Sequence, residues 1–125
     1  SSALDNYKQK AQLVSGAEIY MGCAIATSTW EYEDLRVAAA QAADELLTIL
    51  GVRASFVLYK VGSDVSISAR SLGDVNVQLI LEEFGGGGHL TMAGAQIKNI
   101  SMQDAKRSLL RALDQKLAEV STESK

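Results

Sequence analysis

Four consecutive glycines, Gly85 to Gly88, followed by His89, the only histidine of the chain, restrict the fold more than any other stretch. Glycine has no Cβ, so it takes positive φ without strain and lets backbone N–H groups approach a ligand closely. An imidazole beside it can donate to an anion or exchange protons near neutral pH. The run lies between a helical pattern over Val75–Phe84 and a strand pattern over Leu90–Ile97, so it is expected to join two packed elements and to contact a ligand. A flexible linker is the alternative reading, because glycine runs also suit tethers. The Walker spacing Gly-x-x-x-x-Gly-Lys-[Ser/Thr] is absent. The dinucleotide fingerprint Gly-x-Gly-x-x-Gly needs strand, glycines, helix, and the order here is helix, glycines, strand.

The 125 residues, 47% of them hydrophobic, suit one core and one domain. A net charge of −3 disfavours a general grip on long nucleic acid and leaves room for a small anionic ligand. Cys23 is the only cysteine, so no internal disulfide forms and a reducing compartment is expected, with the thiol in an apolar run and unreactive. No stretch approaches the ~18 apolar residues of a membrane span, which reads as a soluble fragment. The chain starts Ser1-Ser2-Ala3 without methionine and is read as part of a longer protein, with 121–125 a disordered tail.

Along the chain, Leu4 to Val14 reads as a short helix with Leu4, Tyr7, Ala11 and Val14 on its packed stripe, ended near Gly16. Glu18–Thr27 reads as one central strand, small or apolar on both faces. Ser28 or Thr29 is expected to cap the next helix, with Glu31, Glu33 and Asp34 at its positive end. Leu35, Ala39, Ala42, Leu46 and Ile49 form its core face, and Gly51 stops it. Arg53–Val61 and Asp64–Arg70 form a hairpin through Gly62-Ser63. Pairing Val61 with Asp64 sets Leu58 against Ile67 and Phe56 against Ala69 in the core, leaving Tyr59, Ser66, Ser68 and Arg70 on the other face. Asp74 is expected to cap the helix before the glycines. Ser101 and Asp104 open a last helix carrying Ala105, Leu109, Leu113 and Leu117. These elements give a single α/β domain over 1–125, core about 18–117, with a mixed sheet of about four strands and packed helices.

One histidine and carboxylates confined largely to helix starts and solvated faces leave no metal centre in this chain, and no Gly-x-Ser-x-Gly elbow supplies a nucleophile. Arg70 beside Ser71, the amides of Gly86 to Gly88 and the His89 imidazole are suited instead to holding a phosphate. They offer binding without catalysis.

Ile67-Ser68-Ala69-Arg70-Ser71, Asn76-Val77, Gly85 to His89 and Met92-Ala93-Gly94 together resemble the DHH-associated C-terminal domain of the DHH phosphoesterases, over about residues 18 to 117. Ser68 to Gly73, Asn76 to Ile80 and Met92 to Gln96 resemble in particular its GdpP-type branch, the cyclic-di-AMP phosphodiesterases of Gram-positive bacteria. The resemblance implies a two-lobed hydrolase. A separate DHH lobe of the same polypeptide would carry manganese and the water nucleophile, and this lobe would bind a cyclic dinucleotide that is opened to linear di-adenylate. It assigns Arg70 and Ser71 to a phosphate-contacting strand end and Gly85, Gly86, Gly87, Gly88 and His89 to a substrate loop. It further implies a signalling parent at the bacterial membrane with this domain in the cytoplasm. No residue here matches the DHH triplet, so no cofactor is expected in this chain and the fragment alone should bind without cleaving. Oligonucleotide (nanoRNA) phosphodiesterases, exopolyphosphatase-like relatives and the C-terminal region of alanyl-tRNA synthetase share the domain. They leave open a linear oligonucleotide substrate, or a non-catalytic nucleic-acid-binding or dimerisation module, including a homodimer.

Overall fold

A computed structural model describes residues 2–30 and 34–123, with side chains described through Ala118. The order is α1 (Ala3–Ser15), β1 (Glu18–Tyr20), β2 (Cys23–Thr27), α2 (Arg36–Leu46), β3 (Ala54–Val61), β4 (Asp64–Ser71), α3 (Val77–Glu82), β5 (Gly87–His89), β6 (Met92–Ile97) and α4 (Met102–Glu123). The strands form one sheet in the order β1-β2-β3-β4-β6-β5, mixed because β2 and β3 run parallel through the α2 crossover while every other pair is antiparallel.

Six strands replace the expected four for two local reasons. Glu18–Thr27 is two strands, because Met21 and Gly22 take φ of 53° and 78° and fold it into a hairpin pairing Tyr20 with Cys23. The last two glycines of the run, with His89, form a strand of their own, β5. The β3–β4 hairpin has the expected register, Val61 on Asp64, Leu58 on Ile67 and Phe56 on Ala69, with Gly62 at φ 60° as a Gly-first turn requires.

The sheet divides two cores. On one face Phe56, Leu58, Ile67, Ala69 and Ala93 meet Ile80 and Leu81 of α3 and Leu109 and Leu113 of α4. On the other, Ala24, Ala26 and Val57 meet Leu13 of α1 and Ala38, Ala39, Ala42, Ala43 and Leu46 of α2. The alanines let α2 lie close on the sheet, and each large side chain removed from water contributes about 1.5–3 kcal/mol.

Several ends and faces differ from the sequence reading. Leu4, Tyr7 and Ala11 of α1 are exposed; Gln9 and Leu13 are the buried residues, because α1 packs on α2 by the opposite side, with Asn6 donating to Gln41. Neither Ser28 nor Thr29 caps α2. Its N-cap is Leu35 with no side-chain bond, Asp34 accepts from the Arg36 amide at 2.9 Å, and the Ser28 hydroxyl accepts from the Lys60 amide; Glu31 and Glu33 lie outside the described residues. Ile49 is exposed beyond the end of α2. α3 is capped by Asn76, whose side chain accepts from the Leu79 amide; Asp74 is drawn instead to Arg53, at 2.6 Å. Ser101 accepts from the Asp104 amide at the start of α4, which continues past Val120 to Glu123.

Candidate functional site

The glycine run is two devices in sequence. Gly85, at φ 77°, donates to the Glu82 carbonyl at 3.1 Å and Gly86 donates to Leu81 at 2.9 Å, the paired bonds that close a helix with a left-handed residue. These two glycines therefore end the α3 turn, and the Gly86 amide is already used. A Cβ on Gly86 would fall on the Gly94 carbonyl oxygen and 2.6 Å from the Ala95 Cβ, so the chain must be bare there to pass β6. Gly87–His89 then forms β5, at the edge of the sheet and paired with β6 alone. Gly88, at φ 145°, would put a Cβ onto the Met92 carbonyl, whereas a Cβ on Gly87 meets nothing within 4 Å. The run is thus ordered pairing, not a tether.

Strand register brings the distant candidates into rows. Arg70 pairs with Met92, and Met92 pairs with His89. Ser68 pairs with Gly94, and Gly94 with Gly87. Directly paired residues put their side chains on one face, so Arg70 and His89 share a face two strand spacings apart, about 10 Å. Met92, Gly94, Gly87 and His89 on that face are exposed, because α2 lies over β3 and β4 and α1 reaches β2, so neither extends over β6 and β5. A bare, glycine-floored shelf results, with a guanidinium on one side and an imidazole on the other.

Arg70 is held from three directions. Its Nη1 donates to the Ala69 carbonyl at 3.0 Å and to Ser68 Oγ at 3.3 Å. Nε lies 3.1 Å from Asp44 Oδ1 of α2, close enough for strong attraction although the N–H is not aligned as a hydrogen bond. The Arg70 side chain is 13% exposed and that of Asp44 66% exposed, so the arginine is fixed by a carboxylate at the shelf rim. No hydrogen bond from Nη2 is found among the described residues, which leaves that edge for an acceptor.

Ser71 stands apart from this set. It lies on the opposite face at 6% exposure, its hydroxyl donating to the Leu90 carbonyl and accepting from the Gly73 amide, both at 3.2 Å. It fastens the β5–β6 turn to the end of β4 and so positions His89. Of the sequence candidates, Arg70, Gly87 and His89 share the shelf; Gly88 faces the α3 side, Gly85 and Gly86 cap α3, and Ser71 braces the turn. Sequence reasoning missed Asp44 and the floor residues Met92 and Gly94. Helical spacing put Asp44 off the apolar stripe without saying what it faced, and the floor needed the β4–β6 register.

Other chemistry is sparse. Among the described residues no group of three His, Cys, Asp or Glu side chains stands together to hold a metal ion. Cys23 is buried, and burial pushes its thiol up to about 11, far from a nucleophile's range. A cavity of about 420 Å³ between Thr27, Ser28, Trp30, Lys60 and Met102 lies at the far end of the sheet from Arg70, since Lys60 pairs with Val65 and Arg70 with Ser55. Among the described residues, no helix is long and apolar enough to cross a membrane.

Comparison with known proteins gives the family and the fold. The DHHA1 domain family matches residues 24–119. The cyclic-di-AMP phosphodiesterase PdeA of Listeria monocytogenes is 45% identical over 113 residues, covering 89% of this chain and 17% of the relative. The cyclic-di-AMP phosphodiesterase GdpP of Geobacillus thermodenitrificans is 49% identical over 110 residues, covering 86% of this chain and 17% of the relative. An exopolyphosphatase-related protein from Bacteroides fragilis superposes with a TM-score of 0.81 at 22% identity, over 92% of this chain and 36% of that one, a likeness of fold. The chain thus spans 17% of the length of these two curated relatives, and it belongs to the DHHA1 domain family.

Proposed function

We propose that this chain is the substrate-binding lobe of a cyclic-di-AMP phosphodiesterase, holding the dinucleotide phosphate on the shelf between Arg70 and His89. The observation that carries the reading is the Arg70–Met92–His89 row across three adjacent strands, beside a floor of Gly94 and Gly87. Arg70 supplies a fixed positive charge through Nη2, and a charge-assisted hydrogen bond to phosphate contributes about 1.5–3 kcal/mol. His89, exposed at the edge strand, donates from its ring to a second phosphate oxygen. Gly94 and Gly87 let the ligand reach the backbone, where a side chain would hold it off. The names of PdeA and GdpP support the choice of substrate.

In this reading, a DHH lobe of the same polypeptide would hold the metal and supply the hydrolytic chemistry. This chain contributes orientation and charge at the phosphate. The parent sits at the bacterial membrane, with this lobe in the cytoplasm. The test is calorimetric titration of the 125-residue chain with cyclic-di-AMP, linear di-adenylate and a short RNA. Binding of a dinucleotide that Arg70→Ala weakens by roughly 10- to 100-fold is expected. No dinucleotide binding, or equal binding by the variant, would refute the proposal. A preference for the longer RNA would move the substrate to oligonucleotides.

A further inference from the structure

The shelf does not end at the Arg70–His89 row. Along the same face β4 presents Ser66 and Ser68 before Arg70, and β6 presents Gln96 and Gly94 before Met92, with Ser66 paired to Gln96. At the Ser66–Gln96 end lies a cavity of about 320 Å³, walled by Asp34, Leu35 and Arg36 at the start of α2, Tyr59, Lys60 and Val61 of β3, and Ser66 and Gln96. Two rulers measure its distance from the phosphate site. Ser66 to Arg70 is four strand residues, about 13 Å. Arg36, in the cavity wall, to Asp44, against Arg70, is eight helical residues, about 12 Å. Helix and strand therefore run side by side from cavity to arginine, α2 as wall and β4 and β6 as floor. Between the two ends stand Ser68 and Gly94, neither large enough to bar the way.

Resting on the proposed phosphate site, we propose that this cavity is a nucleobase subsite, taking the base of a nucleotide whose phosphate lies at Arg70 and His89. The lining matches a flat heteroaromatic ring with a polar rim. Val61, exposed at the cavity, offers apolar surface, while the Tyr59 and Ser66 hydroxyls and the Gln96 carboxamide offer donors and acceptors. Gln96 is itself oriented, its Nε2 donating to Asp64 Oδ2 at 3.0 Å, and Asp64 is fixed in turn by the Asn99 amide at 2.8 Å. The carboxamide oxygen is left as an acceptor for an exocyclic amine such as that of adenine. Arg36 is steadied at the mouth by Asp34, 3.8 Å away.

The experiment compares two probes on the 125-residue chain: linear di-adenylate, which has bases, and ribose 5-phosphate, which has none. Gln96→Ala removes the carboxamide and Ser66→Leu fills the cavity; melting curves and amide spectra select folded variants, and Gln96, being exposed, supplies the one expected to fold in every case. The subsite predicts that both variants weaken di-adenylate roughly tenfold and leave ribose 5-phosphate unchanged, whereas Arg70→Ala weakens both. If Gln96→Ala and Ser66→Leu bind di-adenylate like wild type while Arg70→Ala does not, the base subsite is refuted and the phosphate site stands. Equal losses for both probes in a folded Gln96→Ala also refute it. Failure of the wild-type chain to bind either probe refutes both.

Discussion

Toward α3 and α4, β4 and β6 turn Val65, Ile67, Ala69 and Ala93, all buried; toward the other side the same strands turn Ser66, Ser68, Arg70, Met92, Gly94 and Gln96, none of them buried. Strand alternation alone places these sets on opposite faces. The covering elements differ: α3 and α4 close the first face, while α2 lies over β3 and β4 and leaves β6 and β5 uncovered. A fold selected for packing alone would fill the second face or leave it charged. Here it is floored with glycine, which raises the conformational entropy lost on folding, and fringed by one anchored arginine and the only histidine. On the proposed function, the first face serves stability and the second serves a ligand.

Substitutions on the two faces should therefore fail in different assays. The largest effect belongs to the closed face: Phe56→Ala, at a fully buried position, should cost about 3–5 kcal/mol in denaturant unfolding. Gly88→Ala should also destabilise, by shifting β5, since its Cβ collides with the Met92 carbonyl; amide exchange across the β5–β6 pair reads this directly. On the open face, Arg70→Ala should leave unfolding close to wild type and weaken dinucleotide binding by about 1.5–3 kcal/mol in calorimetry. Gly87→Ala sharpens the contrast, because its methyl enters open space without a positive φ to forbid it. Unchanged stability with weaker dinucleotide binding would mark the position as ligand contact. Equal stability and equal binding would leave it as pairing alone.

A smaller effect concerns acid. The Asp64 carboxyl, which orients Gln96, is held below the usual carboxylate range chiefly by the Asn99 backbone hydrogen bond. Because the folded value is depressed, its stabilisation is present above the unfolded value, near 4, and is lost as pH falls through the folded one. Asp64→Asn should thus lower stability by a constant amount at neutral pH, and that deficit should shrink below about pH 4 in urea unfolding followed across pH.

Much of the closed face was legible in the sequence. The β3–β4 register follows from a two-residue turn and one alternating pattern, both local, and the α4 stripe Ala105, Leu109, Leu113 follows from helical spacing. The α1 stripe did not, because a 13-residue helix with apolar residues on several sides is oriented by its neighbour α2 and not by its own periodicity. The splitting of Glu18–Thr27 was hidden by continuous apolar character, with Met21 taking a left-handed φ that its side chain does not advertise. The site was half legible. Arg70 and His89 are adjacent to recognisable local signals, but their meeting depends on β6 inserting between β4 and β5, a non-local pairing. Gly85 and Gly86 read as ligand contacts in sequence because helix closure and phosphate cradling call for the same residue type.

The central claim, that the uncovered face of β4, β6 and β5 is where a phosphodiester binds, is tested most directly by following backbone amide resonances of the chain while cyclic-di-AMP or linear di-adenylate is added. The account predicts saturable shifts at Gly87, His89, Met92 and Gly94 with Arg70, weakened together in Arg70→Ala, and quiet amides at Ile67, Ala69 and the α4 residues behind them. Shifts confined to the Thr27–Lys60 cavity at the far end of the sheet, or no shifts on the shelf at saturating ligand, would contradict it.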